Sequence, residues 1–395
     1  MLHCRAASNL PSVISTSSRQ RPSASAAERS EMRSLVLDAR LLGSGIGTYT
    51  LNLISELVQH SDIPLQLLTS PQGQKALTQF NRDVKVIEAP VYSLREQFQV
   101  PRAVASSDVL HVPHYNAPLL RKEALLVTIH DLNHILDRTY RRTVKSMLYA
   151  QPMLRLVARR ADHIFTVSEY SKCQIIEHLG VGADRISVVY NGIGAHIFPE
   201  DRDVARANTN RDFGFSGPYI LFVGNLKANK NVHGLLKAFA VLQERAKVPQ
   251  RLLIAGDDAA GRESVMDLTR ELKLQNKVVR VPHVGHEQIR SVYSGADLTV
   301  LPSFEEGFGL PVVESMACGT PVACSSSASL PEIGGEAAEY FDPHDPESIA
   351  TAIETVLLSS DRWRELQALG LKNACRFTRE DFAERHLEVY RGFLG

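Results

Sequence analysis

The feature that most constrains the fold is an alternation of short apolar segments with amphipathic helical segments, which runs through most of the chain. In the first half, seven apolar runs have the length of a strand: SLVLDAR, PLQLLTS, VKVIEAP, DVLHVPH, ALLVTIHD, HIFTVSE and RISVVYNG. Helical segments such as TYTLNLISELVQH, apolar on one face, stand between several of them. Strands that alternate with helices predict a parallel sheet with helices on both faces.

The pattern is interrupted once and then restarts. Residues 195–217 are polar, and we interpret the stretch near 196–217 as an irregular linker. Five further apolar runs follow it: YILFVGN, RLLIAG, KVVRVPHVG, ADLTVLPS and TPVACS. The sequence therefore predicts an α/β protein with two doubly wound, Rossmann-like domains at residues 34–200 and 218–377. The last segment, residues 378–395, reads as a separate helix.

Length and composition agree with two globular domains. The chain has 395 residues, of which 44% are hydrophobic and 22% charged, and its formal net charge of zero gives no general attraction to nucleic acid. No apolar run approaches the roughly 18 residues of a membrane-spanning helix. The cysteines form no C-x-x-C pair, which favours a reducing compartment over a disulfide framework or a zinc site. They are Cys4, Cys173, Cys318, Cys324 and Cys375.

The first 31 residues differ from the rest. They are rich in Ser, Ala and Arg and show no lasting periodicity. They are open to three interpretations: a disordered tail, a transit-like peptide, or an extension that precedes a true start at Met32. We favour a disordered or spurious extension over a targeting segment, and we assign it no part in the fold.

The stretch SFEEGFGLPVVESMACGTPVACS holds the most informative chemistry. It follows a predicted strand, and Pro311 suits the first turn of a helix that begins near Leu310. The free amides of that turn suit a phosphate. Glu314, one turn into the helix, suits a vicinal diol such as a ribose, and Glu306 reaches another part of the same extended ligand. On these residues alone, a helix cap and a solvated helix face remain an alternative.

Two other motifs are weaker. Gly43, Gly45 and Gly47 do not follow G-x-G-x-x-G, and the second strand ends in LLTS without the acid that an adenosine ribose requires, which argues against a dinucleotide site. Asp201 and Asp203 spell D-x-D, but they lie in the predicted linker and not at a strand end. We therefore expect no metal site there.

The run from GADLTVLPSFEEGFGLPVVESMACGTPVACS onward closely resembles the C-terminal domain of the GT-B family 4 glycosyltransferases, whose hallmark is a Glu, seven residues and a second Glu. The resemblance extends from about Ser34 to the end, through DARLLGSGIGTYTLNL, VTIHDLNHI and VVYNGI. These N-terminal pieces resemble the subgroup that builds bacterial surface polysaccharides. The resemblance implies two domains that face each other across a cleft, a retaining reaction, and neither metal nor cofactor beyond the nucleotide-sugar co-substrate.

The resemblance also assigns roles by position. Glu306 would hold the hydroxyls of the transferred sugar, Glu314 the ribose, and His130 would lie near the anomeric centre as a second catalytic residue. Lys230 would neutralise the diphosphate, with Lys227 as a weaker substitute. The remaining donor-binding positions are glycine turns or loop residues: Gly45, Gly47, Asn225, Gly307, Phe308, Gly309 and Leu310. Asn225 departs from the family pattern, which often has a basic residue there. A lysine in a turn and a buried histidine bonded to Asp131 or to a carbonyl group are the alternatives for Lys230 and His130.

The subgroup resemblance implies a hexose donor, first GDP-mannose, and a lipid-linked or oligosaccharide acceptor held by the N-terminal domain. The loop VPHVGHEQ is the expected base pocket. The place of action would be the cytoplasm or the inner face of its membrane. A nucleotide-sugar epimerase of the same fold and a non-catalytic glycan-binding relative remain alternatives.

Two segments carry expectations about assembly. Residues 137–162 contain seven basic side chains interleaved with apolar ones, which fits either peripheral contact with an anionic membrane or an ordinary helix pair packed on the core. The resemblance implies that the terminal helix crosses back to the N-terminal domain and forms a hinge with the linker.

Overall fold

The computed structural model describes residues 33–43, 45–105, 108–121, 123–136, 146–245 and 248–395. The predicted extension at 1–31 and the first part of the basic segment lie outside these ranges. All strands of the described ranges belong to two parallel sheets. The strands are β1 (Leu35–Asp38), β2 (Leu65–Thr69), β3 (Asp83–Val86), β4 (Val109–Val112), β5 (Ala124–Ile129), β6 (His163–Thr166), β7 (Ile186–Val188), β8 (Tyr219–Val223), β9 (Arg251–Ala255), β10 (Val278–Val281), β11 (Leu298–Leu301), β12 (Val322–Ser325) and β13 (Ala338–Phe341).

Helices connect the strands. They are α1 (Gly45–His60), α2 (Gln74–Leu77), α3 (Glu96–Ala103), α4 (Asn133–Leu136), α5 (Gln151–Arg160), α6 (Glu169–Leu179), α7 (Arg202–Phe213), α8 (Val232–Glu244), α9 (Ala259–Glu271), α10 (Ile289–Ser294), α11 (Leu310–Ala317), α12 (Leu330–Gly334), α13 (Pro346–Leu357), α14 (Ser360–Ala374) and α15 (Arg379–Leu394). A π-helical turn, Ser146–Ala150, leads into α5. None of the helices in the described ranges combines the length and the apolar character needed to cross a membrane.

The two sheets confirm the predicted doubly wound architecture. The first has the order β3-β2-β1-β4-β5-β6-β7 and the second β10-β9-β8-β11-β12-β13. Their central strands are buried on both faces because helices cover both sides, which explains why β1 and β11 read as nearly continuous apolar runs. One strand, β13, was not predicted.

Strand order reverses once in each sheet, between β1 and β4 and between β8 and β11. At such a point neighbouring loops at the carboxyl ends of the strands diverge, and a crevice opens between them. The loops that follow β1 and β4 in the first sheet, and β8 and β11 in the second, are thereby placed where ligands bind in folds of this class, and the loop after β5 is next to them.

The linker prediction was wrong in one respect, because the polar stretch contains the helix α7. Asp201 caps its first turn by accepting hydrogen bonds from the amides of Asp203 and Val204, and Gly214 ends it in the left-handed conformation at φ 69°. Arg206 of this helix donates to the carbonyl oxygen of Gly295, which attaches α7 to the second sheet. The cap and the terminating glycine were visible in the sequence, but the helix is too polar to show a clear apolar stripe.

The terminal helix α15 lies against the first domain, although the preceding helix α14 packs on α11 of the second. Its buried His386 contacts the hydroxyl of Tyr49 in α1 at 2.7 Å, and Tyr390 contacts Nδ1 of His111 in β4 at 2.6 Å. The largest apolar core continues from α1 through this helix into the second sheet. The chain thus crosses between the domains a second time at its end.

Candidate functional site

The most distinctive contact of the cleft is an ion pair between two loops of the second sheet. Nζ of Lys230 lies 2.6 Å from Oε1 of Glu306, and the two side chains keep only 18% and 10% of their surfaces exposed. Lys230 ends a 3₁₀ turn after β8, and Glu306 follows β11. Asn229 joins the two loops, because its carbonyl oxygen accepts from the amide of Phe304 at 2.8 Å and its side chain donates to the carbonyl of Glu305 at 3.3 Å.

Two serines that sequence reasoning missed complete the surroundings of Glu306. Ser303 donates to Oε1 of Glu306 at 2.7 Å, and Ser329 donates to the Glu306 carbonyl oxygen at 2.9 Å. Ser303 is the first residue of the acidic stretch, so its place beside the loop was a usable signal. Ser329 lies 23 residues further on, and no local pattern connects it with the acid.

The glycine-rich loop of residues 307–309 positions the N-terminus of helix α11 at the cleft. Gly309 has φ 95° and forms the N-cap without a side-chain hydrogen bond, and Leu310 and Pro311 begin the helix. Pro311 has no amide hydrogen and the Val312 amide donates to the Gly309 carbonyl oxygen at 2.9 Å, so the Leu310 amide is the first-turn donor that an anion would meet. Phe308 is buried and packs edge-on against Phe377, with the ring centroids 5.5 Å apart, so only its backbone is left for a ligand.

Gly307 allows the loop between β11 and α11, which carries Glu306, to approach the first domain closely. A Cβ atom at this position would lie 1.9 Å from the carbonyl oxygen of His130, so no other residue fits there without movement. The carbonyl oxygen of Gly307 accepts a hydrogen bond from the Ser168 hydroxyl at 2.6 Å. The predicted residues His130 and Glu306, which come from different sheets, are thus brought to the two sides of one contact.

His130 follows β5, as predicted, and its Nε2 lies 3.0 Å from the Pro113 carbonyl oxygen. A carbonyl can only accept, so Nε2 carries the proton. Burial lowers the pKa of His130, an effect that the Pro113 carbonyl and Asp131 partly offset, and the ring is neutral at pH 7. The Asp131 carboxylate instead accepts from the Asn133 amide at 3.0 Å. Nδ1 of His130 is an acceptor with no hydrogen bond to any described residue.

Glu314, the second acid of the motif, lies in a different environment. Its Oε2 accepts from the hydroxyl of Tyr293, a buried residue of α10, at 2.7 Å. Burial raises the pKa of Glu314, and the Tyr293 hydrogen bond offsets only part of that effect. Sequence reasoning missed Tyr293, because 21 residues separate it from the acid and only the packing of α10 on α11 joins them.

The other predicted donor residues have local structural roles. Asn225 accepts from the Lys227 amide at 3.2 Å, which closes a turn after β8. Gly45 and Gly47 lie in the first turn of α1 and not in a free loop. A Cβ at Gly47 would lie 2.1 Å from the Leu42 carbonyl oxygen, whereas Gly45 faces open space.

The D-x-D motif of Asp201 and Asp203 has a structural role, because Asp201 caps α7 by accepting hydrogen bonds from two backbone amides. Over the part of the chain that the structure describes, no group of three His, Cys, Asp or Glu side chains is arranged to hold a metal ion.

Two family models match the chain, one for each domain. "Glycosyltransferase Family 4" matches residues 43–195, and "Glycosyl transferases group 1" matches residues 208–374. Among curated proteins, the O-antigen chain mannosyltransferase B of Escherichia coli is 29% identical over 285 residues, which are 72% of this chain and 74% of that protein. The O-antigen chain mannosyltransferase RfbU of Salmonella typhimurium is 27% identical and covers 67% of this chain and 69% of its own length.

Solved structures share the whole fold at low identity. The Anabaena protein HepE in complex with UDP-glucose has a TM-score of 0.75 and 19% identity, over 92% of this chain and all of that one. A glycosyltransferase from Rickettsia africae has a TM-score of 0.72 and 18% identity, over 92% of this chain and 99% of that one. These likenesses confirm the predicted two-domain architecture of facing Rossmann-like sheets.

Proposed function

We propose that this chain, which belongs to the GT-B glycosyltransferases of group 1 and family 4, transfers a mannosyl residue from GDP-mannose to a lipid-linked or oligosaccharide acceptor of surface polysaccharide synthesis. The observation that carries the proposal is the Lys230–Glu306 ion pair, which lies beside the open N-terminus of α11 and one residue from the contact with His130. The choice of mannose is supported by the names of the bacterial mannosyltransferases that the chain resembles.

The donor would bind along this row of groups. A diphosphate replaces Glu306 as the partner of Lys230, and the Leu310 amide and the dipole of α11 stabilise its negative charge. Glu306, once released, accepts hydrogen bonds from the hydroxyls of the sugar. The free Oε1 of Glu314 accepts from the ribose while Tyr293 holds Oε2 in place. The unengaged Nδ1 of His130 accepts from a sugar hydroxyl on the side of the first domain.

The reaction that suits these groups is retaining and needs no metal. The bond between the anomeric carbon and the phosphate oxygen breaks, the bond to the acceptor oxygen forms on the same face, and the departing phosphate oxygen takes the acceptor proton. Lys230 and the dipole of α11 stabilise the charge that develops on the leaving diphosphate. No separate base is required, and Nδ1 of His130 is assigned to a hydroxyl of the donor sugar and not to the acceptor proton.

We further propose that the protein works in the cytoplasm and touches the inner face of an anionic membrane. Helix α5 buries Leu154 and Val157 in the core, so core packing explains part of the basic segment. Its Arg155 and Arg159 face outward, and beside the helix the side chain of Leu148 is 76% exposed. A basic surface with an exposed apolar residue suits a lipid-linked acceptor.

Titration of the full chain with GDP, UDP, ADP and TDP in a calorimeter, without and with magnesium, is the first test. We expect micromolar binding of GDP without magnesium, and binding weakened about tenfold or more in Lys230→Gln, which removes a charge that contacts phosphate. The exposed Lys237→Gln in α8 is the matched control. A folded protein that binds no nucleotide would overturn the donor site and favour a non-catalytic glycan-binding relative.

Incubation with GDP-mannose then tests the reaction. Transfer to a saccharide acceptor, with retention seen by NMR, is the expected result. Conversion of the donor without any acceptor would identify the chain as an epimerase instead.

A further inference from the structure

A second group of buried polar residues lies in the first domain, at the carboxyl ends of β1 and β4. Three tyrosines belong to this group, and one of them, Tyr92, has its ring beside that of His114. The ring of Tyr92 lies 6.3 Å from that of His114, 6.0 Å from that of Tyr115 and 6.2 Å from that of Tyr149. Aromatic rings that carry hydroxyls combine apolar faces with polar edges, and a sugar presents the same combination.

His114 is held in one tautomer. The backbone amide of Asn116 donates to its Nδ1 at 3.1 Å, so Nδ1 is an acceptor. Burial lowers the pKa of His114 to about 4 and keeps the ring neutral at pH 7. The single ring proton is therefore on Nε2. This N–H group is buried and has no hydrogen-bond partner among the described residues. An unpaired buried donor is costly.

The side chain of Asn116, whose backbone amide bonds to His114, belongs to a hydrogen-bonded network. The Asn116 amide group donates to Glu96 and its oxygen accepts from the Tyr149 hydroxyl at 2.6 Å. Glu96 also accepts from Arg40 at 3.0 Å, and Arg40 pairs with Asp38 at 2.6 Å. The buried side chains of this network all have hydrogen-bond partners, whereas the Nε2–H group of His114 has none among the described residues.

Tyr92 covers the group and is itself unusual. It is 37% exposed and has φ 68°, a conformation that a bulky residue adopts only at an energetic cost. Nearby, Oδ1 of Asn133 is a buried acceptor without a partner. Asn133 begins α4, whose His134 contacts the Tyr115 hydroxyl at 3.3 Å. The unpaired acceptor of Asn133 thus lies one residue before a side chain that contacts the aromatic cluster.

The cluster adjoins the reaction site. The carbonyl oxygen of Pro113, which precedes His114, accepts a hydrogen bond from Nε2 of His130 at 3.0 Å, and the carbonyl oxygen of His130 lies against Gly307. A sugar bound beside His114 would therefore lie next to the anomeric centre of a donor held by Glu306, on the side of the first domain.

We propose that Tyr92, His114, Tyr115, Tyr149 and Asn133 form the subsite for the acceptor sugar, and that Nε2 of His114 donates to one of its hydroxyl oxygens when Tyr92 moves aside. The rings cover an apolar face of the sugar, and Asn133 accepts from a hydroxyl. This assignment rests on the proposed glycosyl transfer and extends it by naming the group that selects the acceptor.

Two substitutions of His114 separate binding from structure. His114→Asn keeps an acceptor near the position of Nδ1 for the Asn116 amide but removes the donor at Nε2. His114→Gln does the reverse, because its amide reaches the position of Nε2 and leaves the Asn116 amide without an acceptor. Binding of methyl α-mannoside, methyl α-glucoside, methyl α-galactoside and N-acetylglucosamine to the full chain with GDP is measured by saturation-transfer NMR, together with Tm.

We expect at least one of these sugars to bind the wild type saturably, and His114→Asn to weaken that binding up to about tenfold with little change in Tm. His114→Gln should bind the sugar nearly as the wild type does, although its Tm falls. GDP affinity should be unchanged in both variants. Equal sugar affinity in wild type and His114→Asn, the reverse ranking of the two variants, or no saturable sugar binding by the wild type would each overturn the subsite. GDP titration judges the donor site separately, so a failure of the subsite can be distinguished from a failure of the donor site.

Discussion

At the scale of residues, the two acids of the motif differ in what balances their charge. Glu306 is paired with a lysine, whereas Glu314 has a neutral tyrosine hydroxyl as its hydrogen-bond donor. A half-buried carboxylate without a cation is costly. We interpret that cost as one that the ligand relieves, because the hydroxyls of a ribose would supply the missing donors.

The substitution Glu314→Gln should stabilise the folded protein at neutral pH and weaken GDP binding. Burial raises the pKa of Glu314 above its value in the unfolded chain. At a pH between these two pKa values, the folded state therefore binds more protons than the unfolded state. The stability of the wild type therefore falls as pH rises through the raised pKa. The neutral glutamine avoids this loss.

Thermal unfolding of both proteins from pH 4 to pH 8 checks the expectation, with the pH limits chosen around the ordinary range of about 4.3 for a glutamate. The advantage of Glu314→Gln in Tm should grow with pH and vanish in acid. A glutamine variant that is less stable at neutral pH would show that the carboxylate itself stabilises the fold.

At the scale of elements, the N-terminus of α6 is the point where the two domains share a helix cap. Ser168 caps the helix from its own chain segment by accepting from the Ser171 amide at 3.0 Å. Glu332, at the start of α12 in the second domain, accepts from the amides of Glu169 and Tyr170 at 2.8 and 2.9 Å. A carboxylate at a helix N-terminus is stabilised by both the free amides and the dipole.

Removal of this shared cap by Glu332→Ala should loosen the contact between the domains. The expected loss is about 1 kcal/mol of unfolding free energy, with a larger radius of gyration in solution scattering that GDP reduces again. The exposed Glu336→Ala in the same segment is the control. If both variants scatter alike and match the wild type, Glu332 does not hold the domains together.

At the scale of the whole molecule, two features join the domains while their sheets stay separate. The chain crosses between them through residues 189–201 and again before α15, whose buried face continues the core of the first domain. The cleft lies between the two domains, with Lys230 and Glu306 on the side of the second domain and His130 on the side of the first. Two crossings form the arrangement that permits closure about a hinge.

The outer face of the first domain should make the full chain bind vesicles that contain phosphatidylglycerol, more strongly than vesicles of phosphatidylcholine alone. Added salt should weaken the binding, since charges are screened beyond about 8 Å at physiological ionic strength. Leu148→Ser should weaken it further, because the exposed leucine supplies apolar contact.

Leu358→Ser removes a 55% exposed leucine from the second domain and serves as the matched control. Sedimentation of the protein with the two kinds of vesicle measures the effect. Equal loss in both leucine variants, or binding that ignores lipid charge, would contradict contact through the first domain.

The sequence by itself determined the class of fold and the place where the loop that carries Glu306 leads into a helix. Apolar periodicity and helix signals are local, so the alternating strands, the start of α11 at Leu310 and the acids of the motif could be predicted from neighbouring residues. Two elements, the polar helix α7 and the short strand β13, were not predicted. Their apolar patterns are weak, so local sequence does not reveal them, and packing on the second domain determines their form.

Only the tertiary structure decided which distant residues meet. Lys230 and Glu306 are 76 positions apart, and Tyr293 and Glu314 are 21 apart; strand order and helix packing bring each pair within hydrogen-bond distance. The cluster around His114 likewise joins residues that follow β3, β4 and β5 with Tyr149 of the turn before α5. Short-range patterns carry no information about such pairings, since contacts between distant segments depend on the order in which the sheet assembles its strands.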